Sequence, residues 1–368
     1  MSTQTSGGVF LSSLQGKRVA ICGLGRTHIP VVHQFLEHGA RVLACDKRDR
    51  ASLGTVADEL EKAGAEMHLG EGYLDDLQVD LILRAPGMKP TLPPFEEARG
   101  RGVRVTTEIE LFIELCPAPV YGVTGSDGKT TTTSVIAGLL QAAGKTVHLG
   151  GNIGWPLLPR IEEVRPDDAA VVELSSFMLM QMEHSPQVGV VTNVAPNHLD
   201  WHTDMAEYID AKKNIVCFQQ PDGRAVLNAD NDITAGFASG LPGEVFLFSR
   251  RHPVERGTYL GEDGILYGQD GDRAVPILPA REIRLPGDHM VENFLAAFAA
   301  VWGTVTPAVM GAFARGFGGV PHRCELVREL DGVQWYNDSI GTSPTRTIAG
   351  LRAFGHGVIL IAGGYDKH

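Results

Sequence analysis

Residues 122–133 read Gly-Val-Thr-Gly-Ser-Asp-Gly-Lys-Thr-Thr-Thr-Thr. They follow a short apolar strand, residues 119–121, and lead into a helical run, residues 134–143. A glycine-rich turn between strand and helix is where a parallel α/β sheet binds phosphate, because converging backbone N–H groups and the helix dipole both favour an anion. Gly125 and Gly128 leave room for a polyphosphate, Lys129 can reach its β- and γ-phosphates as a point charge, and the Thr130 hydroxyl follows where Mg²⁺ is ligated. The segment departs from the usual G-x-x-x-x-G-K-S/T spacing, since Val123 stands at the first glycine position and Gly122 one residue earlier. The reading is a nucleoside triphosphate site. Its rival is a merely glycine-rich strand-to-helix turn.

At 368 residues the chain suggests two or three domains. With 43% hydrophobic and 21% charged residues and no run long enough to span a membrane, it reads as an ordinary globular protein. The first eight residues are polar and uncharged, unlike a secretion signal, so a cytoplasmic protein is expected. Five scattered cysteines, with no C-x-x-C pair, read as small buried hydrophobes rather than a disulfide framework or a zinc site. A formal net charge of −12 disfavours nucleic acid or an anionic membrane surface as a partner.

Strands at 18–22, 41–45 and 81–83 alternate with helices reaching residues 38 and 63, which predicts βαβ units and a parallel sheet. Residues 116–119 read as a linker. A second α/β unit begins at Val120, with further strands at 169–172 and 188–192, a β-rich flank between about 225 and 285, and a helix over 287–302. A third piece follows residues 320–323, with strands near 333–336 and 358–362. It is expected to hold only about two strands of its sheet and to leave 358–362 uncovered.

Gly23-Leu24-Gly25-Arg26-Thr27-His28 follows the first strand and Asp46 ends the second, as in a dinucleotide fingerprint, but the third glycine is His28. NAD, a different nucleotide diphosphate and a purely structural turn all stay open. Glu173 ends a strand beside the phosphate loop, where a Mg²⁺ ligand or water-orienting acid belongs; a solvated strand-end acid is the alternative. In His198-Leu199-Asp200-Trp201-His202 only His198 reads as a ligand, while Asn197, Asp200 and His202 suit turn and capping roles. Lys212 and Lys213, in a helix over 205–218, read by default as surface lysines.

Together these residues resemble the Mur ligase family, ATP-dependent amide-forming enzymes of peptidoglycan precursor synthesis. The resemblance rests on Gly125-Ser126-Asp127-Gly128-Lys129-Thr130, Gly150-Gly151-Asn152-Ile153-Gly154, residues 173–177 (Glu-Leu-Ser-Ser-Phe), Asn193 with His198 and Asp200, and Pro321-His322-Arg323. Asn337-Asp338-Ser339 is similar to the branch that adds D-glutamate. The resemblance implies an α/β architecture: a Rossmann-like UDP-sugar-binding domain over 1–117, a central P-loop ATPase domain with parallel sheet and β-rich flank over 118–319, and the start of an incomplete, truncated Rossmann-like third domain over 320–368.

It also implies the substrates UDP-N-acetylmuramoyl-L-alanine and D-glutamate, ATP and two Mg²⁺ ions, and a monomer. ATP contacts would come from Gly125, Ser126, Asp127, Gly128, Lys129, Thr130, Thr131, Asn293, Arg323 and Asp338. UDP-sugar contacts would come from Gly25, Arg26, Thr27, Asp46, Lys47, Asn152 and Ser175. The metals would sit on Thr130, Glu173, His198 and a carbamylated Lys212, with Lys129, Glu173, His198 and Lys212 as the catalytic set. D-glutamate would meet Thr342 and Lys367. Met178 stands where the family usually has Gln, and Ile340 where it has Lys. Folylpolyglutamate synthetase-like amide ligation, and nucleotide binding without ligation, are the rival functions.

Overall fold

The computed structural model describes residues 5–323, 325–339, 341, 344–352, 354 and 357–363. Val, Ile, Leu and Cys runs that are buried on both faces need helices on both sides, and the first unit meets that need with a parallel sheet. Its strands are β1 (Arg18–Cys22), β2 (Arg41–Asp46), β3 (Glu66–Leu69), β4 (Leu81–Arg84) and β5 (Arg104–Thr106), ordered β3-β2-β1-β4-β5. The order reverses between β1 and β4. The loop after β1 therefore lies at the switch point, where open α/β sheets bind ligands.

The second sheet comprises β6 (Val120–Thr124), β7 (Val147–Gly151), β8 (Ala169–Glu173), β9 (Val188–Val191), β10 (Arg224–Asn228), β11 (Glu244–Ser249), β12 (Arg256–Leu260), β13 (Ile265–Asp270) and β14 (Arg273–Pro279). Its order is β14-β13-β12-β11-β10-β9-β6-β8-β7. Pairing is parallel as far as β12, and β13 and β14 extend the sheet as antiparallel strands. The β-rich flank is thus the far edge of the main sheet, with β10 and β11 as ordinary parallel members. Helices Lys129–Ala142 and Asp288–Ala300 cover one face through Val135, Leu139, Phe294 and Phe298. Helix Met205–Cys217 contributes Tyr208, Ile215 and Val216 to a core shared with the first sheet.

Two boundaries differ from the sequence reading. β6 runs on to Thr124, and the helix begins at Lys129 rather than Ser134. Gly122 lies inside the strand, where a Cβ would come within 2.5 Å of Pro186, so close packing explains that glycine. The early helix start was hidden by four successive threonines, whose β-branching lowers helix propensity.

Buried polar side chains join the first two units. Glu108, on helix Glu108–Leu115, accepts N–H bonds from Leu157 and Leu158 at 3.0 and 2.7 Å. Glu110 accepts from Glu183 N at 2.7 Å, and Arg84 donates to the Met180 carbonyl oxygen at 2.8 Å. Burial lowers the Arg84 pKa to about 10.

In the third piece β15 (Glu325–Leu330) and β16 (Val333–Asn337) form an antiparallel hairpin, followed by helix Pro344–Arg352. The expected strand at 358–362 is not formed among the described residues: those residues pair with no described strand, and Ile359 and Ile361 are 94% and 81% exposed. An isolated segment has no partner for its backbone groups, so apolar alternation alone does not make a strand. Cys324, Ile340, Thr342 and Lys367 lie outside the described residues. Cys22, Cys45, Cys116 and Cys217 are free thiols.

Candidate active site

The phosphate loop takes its shape from two glycines. Gly125 has φ +150°, and a Cβ there would lie 1.8 Å from Thr192 Oγ1; Gly128 is left-handed at φ +81°, with Asn293 Oδ1 2.4 Å from where a Cβ would stand. The segment directly after β9, Thr192 and Asn193, pins the loop. Ser126 N–H donates to the Asn193 carbonyl oxygen at 2.9 Å, and Asp127 N–H to Asn193 Oδ1 at 2.9 Å. Thr192 Oγ1 donates to the Asp127 carbonyl oxygen at 2.6 Å.

Ser126 is spent on this scaffold. Its hydroxyl donates to the Ala195 carbonyl oxygen at 2.8 Å and lies 2.9 Å from the Tyr208 hydroxyl. Lys129 Nζ folds back onto the carbonyl oxygens of Gly125 and Ser126 at 2.9 and 3.0 Å. Thr130 and Thr131 stand in the first turn of a helix that opens with no side-chain cap, where N–H groups have no intrahelical partner. Asn293, on helix Asp288–Ala300, accepts from Thr132 Oγ1 at 3.2 Å.

Glu173 ends β8 beside β6 and is 1% exposed. Its Oε1 accepts from Asn152 Nδ2 at 2.8 Å, whereas Oε2 is buried with no hydrogen-bond donor. The loop at 150–154 closes tightly over it: Gly151 has φ +92°, and a Cβ there would lie 2.3 Å from the Glu173 carbonyl oxygen. Ser175 caps the short helix Ser176–Leu179 by accepting from Met178 N. Met178 itself is buried in the core, so a long apolar side chain suits that position.

Lys212 contradicts the default surface reading. It is 2% exposed, and its Nζ donates to the Gly125 carbonyl oxygen at 2.9 Å, lies 3.4 Å from Thr124 Oγ1 and sits 4.7 Å above the Tyr208 ring. Burial, and then the charge of Lys129, push its pKa well below that of an ordinary lysine. His198 is exposed, with φ +55°, its N–H held by Asn197 Oδ1 at 2.9 Å and its ring against Phe177 at 5.1 Å. Partial burial of the ring, and then the charge of Lys129, lower its pKa. Arg323 and Asp338 both act electrostatically on His289, at the start of the helix that carries Asn293.

The first-unit loop is organised around Asp46. Its carboxylate accepts from Leu24 N at 2.7 Å and binds Arg48 through Nε at 2.9 Å and Nη2 at 2.8 Å, which hold its pKa down at about 2 despite burial. Asp46 therefore fixes the loop that presents the exposed Gly25 and Arg26 and the half-buried Thr27, and the exposed Lys47 directly follows β2. His28, in place of the third glycine, is buried with its Nδ1 2.9 Å from the Gly23 carbonyl oxygen and its Nε2 unpaired. Burial lowers its pKa to about 4. The sequence reading missed Arg48, Thr192 and Tyr208. Arg48, two residues beyond a strand-end acid, and Tyr208, four before Lys212 on one helix, were the available signals.

A glycine loop at a helix N-terminus, a lysine folded over it and an acid on the adjacent strand define an enzyme that uses a nucleoside triphosphate. Residues 17–107 match the Mur ligase MurD-like N-terminal domain, and 123–301 the Mur ligase middle domain. UDP-N-acetylmuramoylalanine–D-glutamate ligase of Acetivibrio thermocellus is 49% identical over 97% of this chain and 77% of its own length. The enzyme of that name from Clostridium novyi is 47% identical over 98% of this chain and 78% of its own. The fold is that of the UDP-N-acetylmuramate-alanine ligase of Thermotoga maritima, with TM-score 0.54 and 19% identity over 92% of this chain and 77% of that one. MurF from Acinetobacter baumannii gives TM-score 0.55 and 15% identity over 93% and 69%. This chain belongs to the Mur ligase family, the ATP-dependent ligases of peptidoglycan precursor synthesis.

Proposed function

We propose that this chain uses ATP to join D-glutamate to the L-alanine carboxylate of UDP-N-acetylmuramoyl-L-alanine, through an acyl phosphate, giving the amide, ADP and phosphate. The observation that carries the reading is the meeting of Lys212 with Gly125 beside Glu173: a buried amine, a phosphate loop and an unsatisfied carboxylate share the ends of β6 and β8. A carboxylate is a poor electrophile, so its oxygen must first take the γ-phosphoryl group; the amine then attacks the carbonyl carbon and phosphate leaves. Lys129 swings from its loop carbonyls to the phosphates, where its charge offsets that of the transferring group.

The Glu173 Oε2 atom, buried without a donor, fits a cation. Among the described residues no three His, Cys, Asp or Glu side chains gather as a metal cluster, which leaves hydroxyl, modified-lysine, water and phosphate oxygens to complete the shell of a cation here. Thr130 and Glu173 would hold one Mg²⁺, and Glu173, His198 and a carbamylated Lys212 a second. Mg²⁺ supplies charge neutralisation for phosphoryl transfer. The lowered pKa of Lys212 favours the neutral amine that adds CO₂, and the carbamate offers the hard oxygen donors Mg²⁺ prefers.

Asn293, Arg323 and Asp338 would contact ATP, with the N–H groups of Gly125, Gly128, Thr130 and Thr131 around the phosphates and Asp127, whose own N–H is bonded to Asn193 Oδ1, shaping the loop. Gly25, Arg26, Thr27, Lys47, Asn152 and Ser175 would contact the UDP-sugar, with Asp46 as support. The three sheets support domain limits of 1–117, 118–319 and 320–368. Among the described residues no helix is long and apolar enough to cross a membrane, and we place the monomer in the cytoplasm, where ATP and UDP-sugars are held.

Phosphate release tests this against its rivals. It should require ATP, the UDP-sugar and D-glutamate together. Turnover with a folate acceptor in place of the UDP-sugar would favour the folylpolyglutamate synthetase-like reading, and nucleotide binding without turnover on any acceptor would favour a binding module.

A further inference from the structure

The side chain of His202 is 0% exposed, and both ring nitrogens are engaged. Nδ1 lies 3.1 Å from Glu207 Oε2 and Nε2 lies 2.9 Å from Ser176 Oγ. An ionised carboxylate only accepts, so Nδ1 carries the proton, and in the neutral ring this leaves Nε2 to accept from the Ser176 hydroxyl. The ring stacks on Phe177, with centroids 5.8 Å apart and planes at 14°, and meets Trp201 and Tyr208 edge-on at 4.8 and 5.3 Å.

Each contact ends on a segment that bears site chemistry. Ser176 and Phe177 follow closely after Glu173, and Phe177 continues to the His198 ring. Glu207 and Tyr208 lie on the helix that carries Lys212, and the Tyr208 hydroxyl reaches Ser126 in the phosphate loop at 2.9 Å. The His202 N–H closes its own turn on the His198 carbonyl oxygen at 3.1 Å. A buried, doubly bonded histidine in ordinary core need not join such segments. We propose that His202 is a positioning residue for the ligase reaction. As the Nδ1–H tautomer it holds the His198 turn, the Glu173 segment and the Lys212 helix in one register with the phosphate loop, and it touches no substrate.

The proposal rests on the ligase reading above, and the test separates the two. His202→Phe keeps the stacked ring and removes both hydrogen bonds; His202→Asn restores a donor toward Glu207; Glu207→Ala removes the acceptor and leaves the ring. His202→Phe should lower kcat by about 10- to 100-fold, the range for residues that support metal ligands, while KM for ATP and for the UDP-sugar changes by no more than about twofold. His202→Asn should recover part of the loss, and Glu207→Ala should show a milder form of it.

Mn²⁺ titrated into the non-turning-over complex with a non-hydrolysable ATP analogue, read by EPR, should bind about tenfold more weakly in His202→Phe. Wild-type kcat and Mn²⁺ affinity in His202→Phe would overturn the proposal. So would a loss that His202→Asn does not relieve at all. Failure of the wild-type protein to turn over the UDP-sugar would instead count against the ligase reading, and the Mn²⁺ titration would still judge His202.

Discussion

Lys212 Nζ donates to the carbonyl oxygen of Gly125 at 2.9 Å, so a buried lysine on one helix is bonded to the glycine that opens the phosphate loop. A lysine kept from solvent, with the charge of Lys129 nearby, is costly unless it has work that needs its amine. Lys212→Ala should lower turnover by about 100-fold or more, and added acetate should restore part of it by supplying the missing carboxylate. Full activity without acetate would remove Lys212 from the site.

Lys129 Nζ donates to the carbonyl oxygens of Gly125 and Ser126 in the phosphate loop. Lys129→Ala should abolish ATP turnover yet leave the apo protein folded, with a stability change of no more than about 1–2 kcal/mol, as for the loss of exposed or half-buried hydrogen bonds. Gly125→Ala should fail differently, because its Cβ would meet Thr192 Oγ1 at 1.8 Å in a backbone conformation strained for alanine. Thermal melts and ATP turnover measured together separate the two outcomes.

Arg48 holds Asp46, and Asp46 holds Leu24 N–H, so the pair shapes the first-unit loop at one remove. Arg48→Ala should raise KM for the UDP-sugar about tenfold and leave KM for ATP unchanged. The folded pKa of Asp46, about 2, lies below its ordinary 3.8. Its ionised form therefore stabilises the fold above pH 4, and this contribution, up to about 2 kcal/mol, is lost as pH falls through 2. In Arg48→Ala the acid limb of a stability–pH curve should move to higher pH.

Glu108 works in the opposite direction. Burial raises its pKa to about 7, although Leu157 and Leu158 donate to it. The folded state then holds a proton that the unfolded chain releases near pH 4.5, so this group makes stability rise as pH falls from 7 toward 4.5. Glu108→Gln keeps an acceptor for both N–H groups without the buried charge. It should be more stable than wild type at pH 8 by about 1–2 kcal/mol and flatten the pH dependence between 5 and 8, as measured by urea unfolding.

Much of this was legible in the sequence because the signals were local. The glycine loop, the strand-end Glu173 and the βαβ punctuation each depend on a few adjacent residues, and β1, β2, β4 and β8 fall where apolar runs predict them. What stayed hidden depends on distant partners. Nothing around Lys212 announces burial, since the groups that enclose it, Gly125 and Thr124, lie nearly ninety residues away. Arg48 looks like a surface charge until β2 sets it beside the loop after β1. The 358–362 segment has strand-like residues but no neighbouring strand among the described residues, so its pattern misleads.

The most direct test of the central claim follows one oxygen atom. UDP-N-acetylmuramoyl-L-alanine labelled with ¹⁸O in its carboxylate is incubated with the protein, ATP, Mg²⁺ and D-glutamate, and the released phosphate is read by mass spectrometry. Transfer of the γ-phosphoryl group to that carboxylate predicts one ¹⁸O in the phosphate for each amide formed, with Lys129→Ala releasing none. Unlabelled phosphate, or release that does not depend on D-glutamate, would contradict it.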